Sequence, residues 1–253
     1  MLDHEYETMR QVEDAYWWYR VLRTVTVREV TTCVGGRAGL SLLDAGCGTG
    51  GTMEALRQMQ EAPALHGIDI SPLAVDFTRS RGFEKVAAGS IDALPFADHS
   101  FDVVVSLDVL YHEGLDEQKA LQEFFRVLKP DGFLILNLPA FDLLSGSHDI
   151  AVGGVRRYTS AQVLEMMQRN GFQMTRIQYW NAWLFLPILL WRQLSRRWVG
   201  RGDQDAKSDL QPMHPLLAGL LTKIGLLDFK ICRALRIPFG TSVFSVAQKP
   251  SPR

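Results

Sequence analysis

Cysteine is scarce: 253 residues contain three, and Cys33, Cys47 and Cys232 stand far apart. That scatter offers no metal-ligand spacing and no disulfide framework, and it fits a reducing compartment. An excess of charge of either sign is missing too: 27 Lys and Arg stand against 28 Asp and Glu. The formal net charge is −1, whereas a protein built mainly to hold nucleic acid carries a basic excess. No apolar run reaches the ~20 residues needed to span a bilayer. The most apolar stretch, Trp183 to Trp191, is interrupted by Pro187. The opening residues Met1 to Arg10 are polar and partly acidic, so no signal peptide is expected there. There is no internal repeat and no low-complexity tract. Gly200 to Gln211, rich in Gly, Asp and Lys, is the expected flexible loop. What is present is an ordinary globular composition, 47% hydrophobic, long enough for one large α/β domain with additions. A cytoplasmic location, with peripheral membrane contact as an option, is the expectation.

Apolar runs and helical patterns alternate from residue 40 to residue 180. Strands are expected at Leu40–Asp44, Ala64–Ile70, Lys85–Ala88, Phe101–Leu107, Phe133–Leu138, Met174–Tyr179 and Val243–Gln248. Helices are expected at Thr52–Gln60, Pro72–Arg81, Asp116–Leu128 and Ala161–Asn170. The last is well punctuated, with Thr159 and Gln162 at capping-box spacing and Gly171 as a stop. This alternation predicts a doubly wound, mostly parallel sheet with helices on both faces. Two parts lie outside it: an N-terminal helix over about 12–31 carrying Tyr16, Trp17, Trp18 and Tyr19, and an insertion over 180–240.

The densest information lies in Leu42-Leu43-Asp44-Ala45-Gly46-Cys47-Gly48-Thr49-Gly50. A short strand ends in an acid and a glycine-rich turn, the place where open α/β sheets bind their ligands. Gly46, Gly48 and Gly51 also satisfy the G-x-G-x-x-G pattern of dinucleotide binders, with Asp69 about 20 residues on. On the glycines alone an NAD-dependent oxidoreductase stays open. Asp44 weighs against it, because a pyrophosphate prefers a helix N-terminus with no carboxylate nearby. A ligand bearing a sulfonium and an ammonium welcomes that acid. Asp69 ends the second strand, where it can accept both ribose hydroxyls. Asp92 follows the third and can accept an adenine amino group, with Ile70 and Ile91 flanking the ring.

Leu42–Gly50, Gly67–Ser71, Gly89–Phe96, Phe101–His112 and Arg126–Gly132 together resemble the class I S-adenosylmethionine-dependent methyltransferases, over about residues 38–180. The resemblance implies a seven-stranded Rossmann-like sheet ordered 3-2-1-4-5-7-6, with an antiparallel last strand. Asp131 stands where glycine is commoner in the family, and the turn is expected to survive. The resemblance divides one domain into an N-terminal helical lid (1–36), a cofactor-binding core (37–179), a helical insertion covering the substrate (180–240), and the last strand and tail (241–253). It implies S-adenosyl-L-methionine as cofactor, held by Asp44, Ala45, Gly46, Cys47, Gly48, Gly50, Asp69, Ile70, Ser90, Ile91, Asp92 and Leu107, with Arg23 or Arg20 on the lid pairing with its carboxylate. Tyr16-Trp17-Trp18-Tyr19 and Arg156-Arg157-Tyr158-Thr159 resemble a bacterial subgroup of these enzymes.

Each candidate has a plainer reading beside it. Cys47 reads as a space-filler in the loop rather than a nucleophile. His112, a residue whose ordinary pKa of ~6.5 suits a general base, and Tyr111 are the catalytic candidates; a structural residue at a helix start explains the histidine equally. Tyr16, Trp18, Asp108, His148, Arg157 and Tyr158 are the acceptor candidates, against core packing or a solvated loop. The segment 183–201, with Trp191, Trp198, Arg192, Arg196, Arg197 and Arg201, reads either as a helix on the protein core with arginines in water or as an interfacial helix. The run Ser106-Leu107-Asp108-Val109 differs from the Asn/Asp-Pro-Pro-aromatic run of amino-methylating DNA enzymes. The expected acceptor is therefore a small molecule or lipid-like compound, not nucleic acid, with no metal and no obligate protein partner. A non-catalytic binding module at a membrane surface is the remaining alternative.

Overall fold

The structure is a computed structural model that describes residues 3–146, 149, 152–198 and 213–251. Seven strands form one sheet: β1 (Ser41–Ala45), β2 (Ala64–Asp69), β3 (Val86–Ala88), β4 (Phe101–Leu107), β5 (Leu128–Pro139), β6 (Gln173–Trp180) and β7 (Ser242–Gln248). Their order is β3-β2-β1-β4-β5-β7-β6. The strands from β3 to β5 run parallel, and β7 is antiparallel to both its neighbours. This matches the order implied by the resemblance.

Helices α3 (Gly51–Arg57), α4 (Pro72–Ser80), α5 (Glu117–Val127) and α6 (Ser160–Arg169) connect the strands. Their starts follow local chemistry. The side chains of Ser71, Asp116 and Thr159 each accept a backbone N–H from the first turn, and Thr159 with Gln162 closes a full capping box. Period-two alternation sorts the strand residues onto two faces. Leu43 and Val104 pack with α5 and α6 residues such as Phe124 and Met167. Leu42, Val103 and Val105 pack instead under Val21 and Val25.

Three expectations need correction. The N-terminal helix is two helices, α1 (Asp3–Val12) and α2 (Trp17–Val34). The chain turns at Glu13 and Asp14 because both carboxylates reach arginines elsewhere, Arg23 and Arg81. Strand β5 begins at Leu128, immediately after α5, rather than at Phe133; Asp131 takes φ +60 within it, a left-handed conformation that Asp tolerates better than most residues. Finally, Pro187 does not end the apolar run, which lies inside α7 (Ala182–Trp198). A second long helix, α8 (Pro215–Leu235), packs on α2. The expected loop 200–211 lies outside the described residues.

Candidate cofactor and acceptor site

The carboxyl end of β1 turns through Gly46 (φ +87), Gly48 (φ +53) and Gly50 (φ +83). Glycine at 46 has a second cause beyond φ: a Cβ there would lie 2.3 Å from Cγ2 of Val109. The backbone amides of Gly46 and Cys47 donate to Ile68 O at 2.8 and 3.0 Å, which ties the turn to β2. Asp69, at the tip of β2, accepts from the Gly48 amide (2.8 Å), the Ser71 amide (3.0 Å) and the Tyr6 hydroxyl of α1 (3.0 Å).

Asp44 is different. It is 2% exposed and its Oδ2 has no hydrogen-bond partner. Burial, with the nearby charge of Asp69, pushes its carboxyl up to about 8, against a smaller pull from Arg23. A buried acid without a donor costs stability, so this group awaits a cation.

Glu13 fastens α1 and α2 over this end. Its carboxylate, buried to 3% exposure, accepts from Arg23, from the Thr49 hydroxyl of the glycine turn, and from Arg81 at 2.6 Å. Arg23 lies where a Cβ on residue 51 would stand, so that position must be glycine for the guanidinium to approach.

A single cavity of about 640 Å³ runs from this end to the tip of β4. At the first end lie Asp44, Gly46, Cys47, Gly48, Asp69, Ile70, Ser90 and Ile91. Ile70 is 71% exposed, an unusual state for an aliphatic residue beside a strand end, and it offers a flat apolar face to a ring. Leu107, Asp108, Tyr111, His112 and Arg157 line the far end. Tyr16, Trp18 and Arg23 line the α2 side, with Leu184 and Ile188 of α7 opposite.

At the far end Asp108 takes φ +57. Its Oδ2 accepts from Nδ2 of Asn137 (2.8 Å), whose Oδ1 in turn accepts from Nε1 of Trp180 (2.8 Å). Burial raises the Asp108 carboxyl to about 7, moderated by Asn137 and Arg157. Burial also lowers His112, so its ring is neutral at pH 7, and its Nδ1 has no partner. Tyr111 is buried and stacked on that ring; its hydroxyl is held well above the ordinary tyrosine range, so it can donate a hydrogen bond but not take a proton.

Several expected site residues stand elsewhere. Asp92 does not line the cavity; its carboxylate accepts the Asp116 amide (3.3 Å) and anchors the start of α5. Ala45 is fully buried, and its carbonyl accepts from Ser106 (2.8 Å). Gly50 caps α3. Tyr158 is buried and holds the β4–α5 connection through Leu110 O and Glu117. Arg23 borders the cavity, but Glu13 and Asp14 take its guanidinium, leaving it no independent charge for a cofactor carboxylate. His148, Arg201 and the side chains of Arg196, Arg197 and Trp198 lie outside the described residues. The sequence reading missed Tyr6, Glu13, Asn137 and Trp180. Asn137 alone carried a signal, as one amide inside the apolar run Leu134-Ile135-Leu136-Asn137-Leu138.

Residues 43–136 match the family model described as a methyltransferase domain. Over that segment the chain is similar to the class I S-adenosylmethionine-dependent methyltransferases. A Mycolicibacterium smegmatis protein described as "Probable S-adenosylmethionine-dependent methyltransferase" is 28% identical over 170 residues, 66% of this chain and 63% of its own length. Malonyl-[acyl-carrier protein] O-methyltransferase 1 of Coxiella burnetii is 32% identical over 117 residues, 46% of this chain and 40% of its own. This chain thus spans less than two thirds of either relative. In fold, this chain resembles phosphoethanolamine N-methyltransferase 2 of Haemonchus contortus, solved with S-adenosyl-L-methionine (TM-score 0.57, 19% identity, 88% of this chain, 51% of that one).

The cofactor for this domain is S-adenosyl-L-methionine, and the residues present suit it. The unpartnered Asp44 carboxylate would suit its cationic end, Asp69 its ribose hydroxyls, and Ile70 with Ile91 its adenine. An anionic pyrophosphate would face two acids here, which removes the dinucleotide reading on physical grounds as well. Tyr6 occupies one acceptor site on Asp69, so a ribose directed at Asp69 competes with α1.

Proposed function

We propose that this chain transfers a methyl group to a small-molecule or lipid-like acceptor by in-line displacement. The observation that carries the reading is the single cavity joining Asp44 and Asp69 at one end to Asp108 and Tyr111 at the other. S-adenosyl-L-methionine, when bound, supplies a methyl group on a positively charged sulfur. The chain's own contribution is positioning, which alone supplies a large share of such catalysis. Asp44 and the glycine turn orient the charged end, and Asp69 with Ile70 orients the nucleoside. Asp108, at the tip of β4 and titrating near neutrality, accepts the acceptor's proton where the nucleophile is a hydroxyl or ammonium. Neutral His112 lies beside it on the cavity wall. Aromatic and aliphatic side chains from α2 and α7 exclude water from the far end; the Arg157 guanidinium there is already paired with Asp149 at 2.8 Å, so it supplies no free charge to an acceptor.

Incubation with methyl-labelled cofactor and fractionated polar extracts, lipid extracts and transfer RNA tests this. Label in a polar or lipid fraction, abolished by Asp69→Ala and by Gly48→Val, is the expected result. Label in RNA overturns the acceptor class, and label unaffected by both substitutions overturns the site. No label in any fraction, from a protein that binds the cofactor, favours the non-catalytic module.

A further inference from the structure

Helix α8 has two apolar faces. One packs inward: Gly225 sits so close to α2 that a Cβ would lie 2.8 Å from Val21, and Phe229 meets the ring of Trp180 at 6.0 Å. The other carries Leu216, Leu220, Ile224, Leu227, Ile231 and Leu235, at spacings of three and four, so they form one stripe along the helix. All six are exposed, Leu216 to 79% and Leu235 to 72%. Helix α7, in contact with α8, repeats the arrangement. It turns Leu184 and Ile188 to the cavity and leaves Leu186, Leu190 and Trp191 exposed. A contiguous exposed aliphatic surface of this kind marks an interaction site.

Charge identifies the partner. Across both helices the sequence holds one acid, Asp228. Its carboxylate faces inward, accepting the amides of Asn181 (2.6 Å) and Trp183 (3.3 Å). Lys223 and Lys230 are exposed and, at seven residues apart, sit on one rim of the stripe. A second copy of the chain docked through this face would bring no outward acid of α7 or α8 to meet these lysines. A bilayer with anionic headgroups satisfies both features: its acyl region takes the stripe and its headgroups take the lysines. With Lys223, Asp228, Lys230 and Arg233 along it, α8 suits a position along the surface; no helix among the described residues is long and apolar enough to cross a membrane.

We propose that α7 and α8 dock the chain on an anionic lipid surface, with α8 as the principal contact rather than the 183–201 segment alone. The inference does not depend on the catalytic reading. The test is co-sedimentation of the full chain with vesicles of phosphatidylcholine, with and without phosphatidylglycerol. Binding to the anionic vesicles is expected. The double variant Leu227→Glu, Ile231→Glu should lose it. Lys223→Gln with Lys230→Gln should weaken it about 30-fold, following the ~1 kcal/mol that each basic residue near such a surface contributes. Circular dichroism and cofactor titration confirm that each variant folds. In the unsubstituted protein, brominated lipid should quench tryptophan emission, and Trp191→Phe should remove part of that quenching, a readout that needs no change to α8. Failure of the unsubstituted chain to bind anionic vesicles at low salt overturns the proposal. So does unchanged binding by the Leu227/Ile231 variant, or a concentration-dependent dimer in sedimentation velocity that this variant abolishes.

Discussion

Asp44 makes the binding of cofactor steeply dependent on pH. In the ligand-free protein its carboxyl titrates at about 8, whereas a cationic ligand needs the carboxylate. Between pH 5.5 and pH 7.0 the ionised fraction climbs about 30-fold, a linkage of about 2 kcal/mol at 1.36 kcal/mol for each pH unit. The ligand's charge is constant over this window, since the sulfonium does not titrate and an α-amino group loses its proton only near ~7.8. The dissociation constant of S-adenosyl-L-methionine should therefore fall about 30-fold from pH 5.5 to 7.0, measured by calorimetry or by tryptophan fluorescence. Asp44→Asn removes the titrating group, so its constant should stay nearly flat over the window. A flat profile in the unsubstituted protein refutes the reasoning, as does an unchanged slope in Asp44→Asn, because either result means that another group carries the charge. The same shift has a consequence for stability, with the opposite sense. The unfolded chain releases this proton near ~3.9 and the folded chain only near 8. The ligand-free fold thus keeps the full benefit of a protonated Asp44 below pH 4 and loses it as the pH rises to 8. Asp44→Asn should be more resistant to urea than the unsubstituted protein at pH 8, with the gap closing at pH 4.

The other perturbations address the network around the cavity. Asn137→Leu removes the amide that favours the charged form of Asp108, so the acidic limb of the activity profile should move to higher pH; an unmoved limb counts against Asp108 as the proton acceptor. Asp108→Asn should lower turnover by about 10²–10⁴, the range for loss of a general base, with the KM for cofactor little changed in steady-state kinetics. Glu13→Gln leaves Arg23 and Arg81 without their buried partner and should cost about 3 kcal/mol in urea denaturation, at the low end for a broken buried pair because Asp14 still faces both guanidiniums. Gly225→Val forces a side chain against Val21 and Trp17; it should lower stability by about 1–3 kcal/mol through overpacking, and cofactor affinity measured below the new melting transition should be retained.

Much of the sheet and half of the site were legible in the residues. Except at the start of β5, which lies five residues before the expected Phe133, strand edges fell within a residue because apolar alternation ended at Gly, Pro or Asp, as at Leu107 before Asp108. The glycine turn, Asp44 and Asp69 were readable because their spacing reports on local backbone and on one neighbouring strand. Asp92 was ambiguous because an acid after β3 can serve either a ligand or the start of a helix, and the fold shows its carboxylate accepting the Asp116 amide. Tyr6 and Glu13 were invisible for a stronger reason: each reaches its partner across more than 35 residues of chain, to Asp69 and Thr49, and no local pattern records such a meeting.

The sequence by itself determined the class of fold and the donor, because strand–helix alternation and an acid ahead of a glycine turn are local properties with few physical solutions. The tertiary structure decided the rest. Packing took away the water around Asp44 and Asp108 and moved both carboxyls toward neutrality. It spent Arg23 on Glu13 instead of a ligand, and it seated one apolar face of α8 on α2 while leaving the other outward. Each of these depends on which surfaces meet, and that is set by the assembled sheet and its covering helices rather than by any stretch of chain.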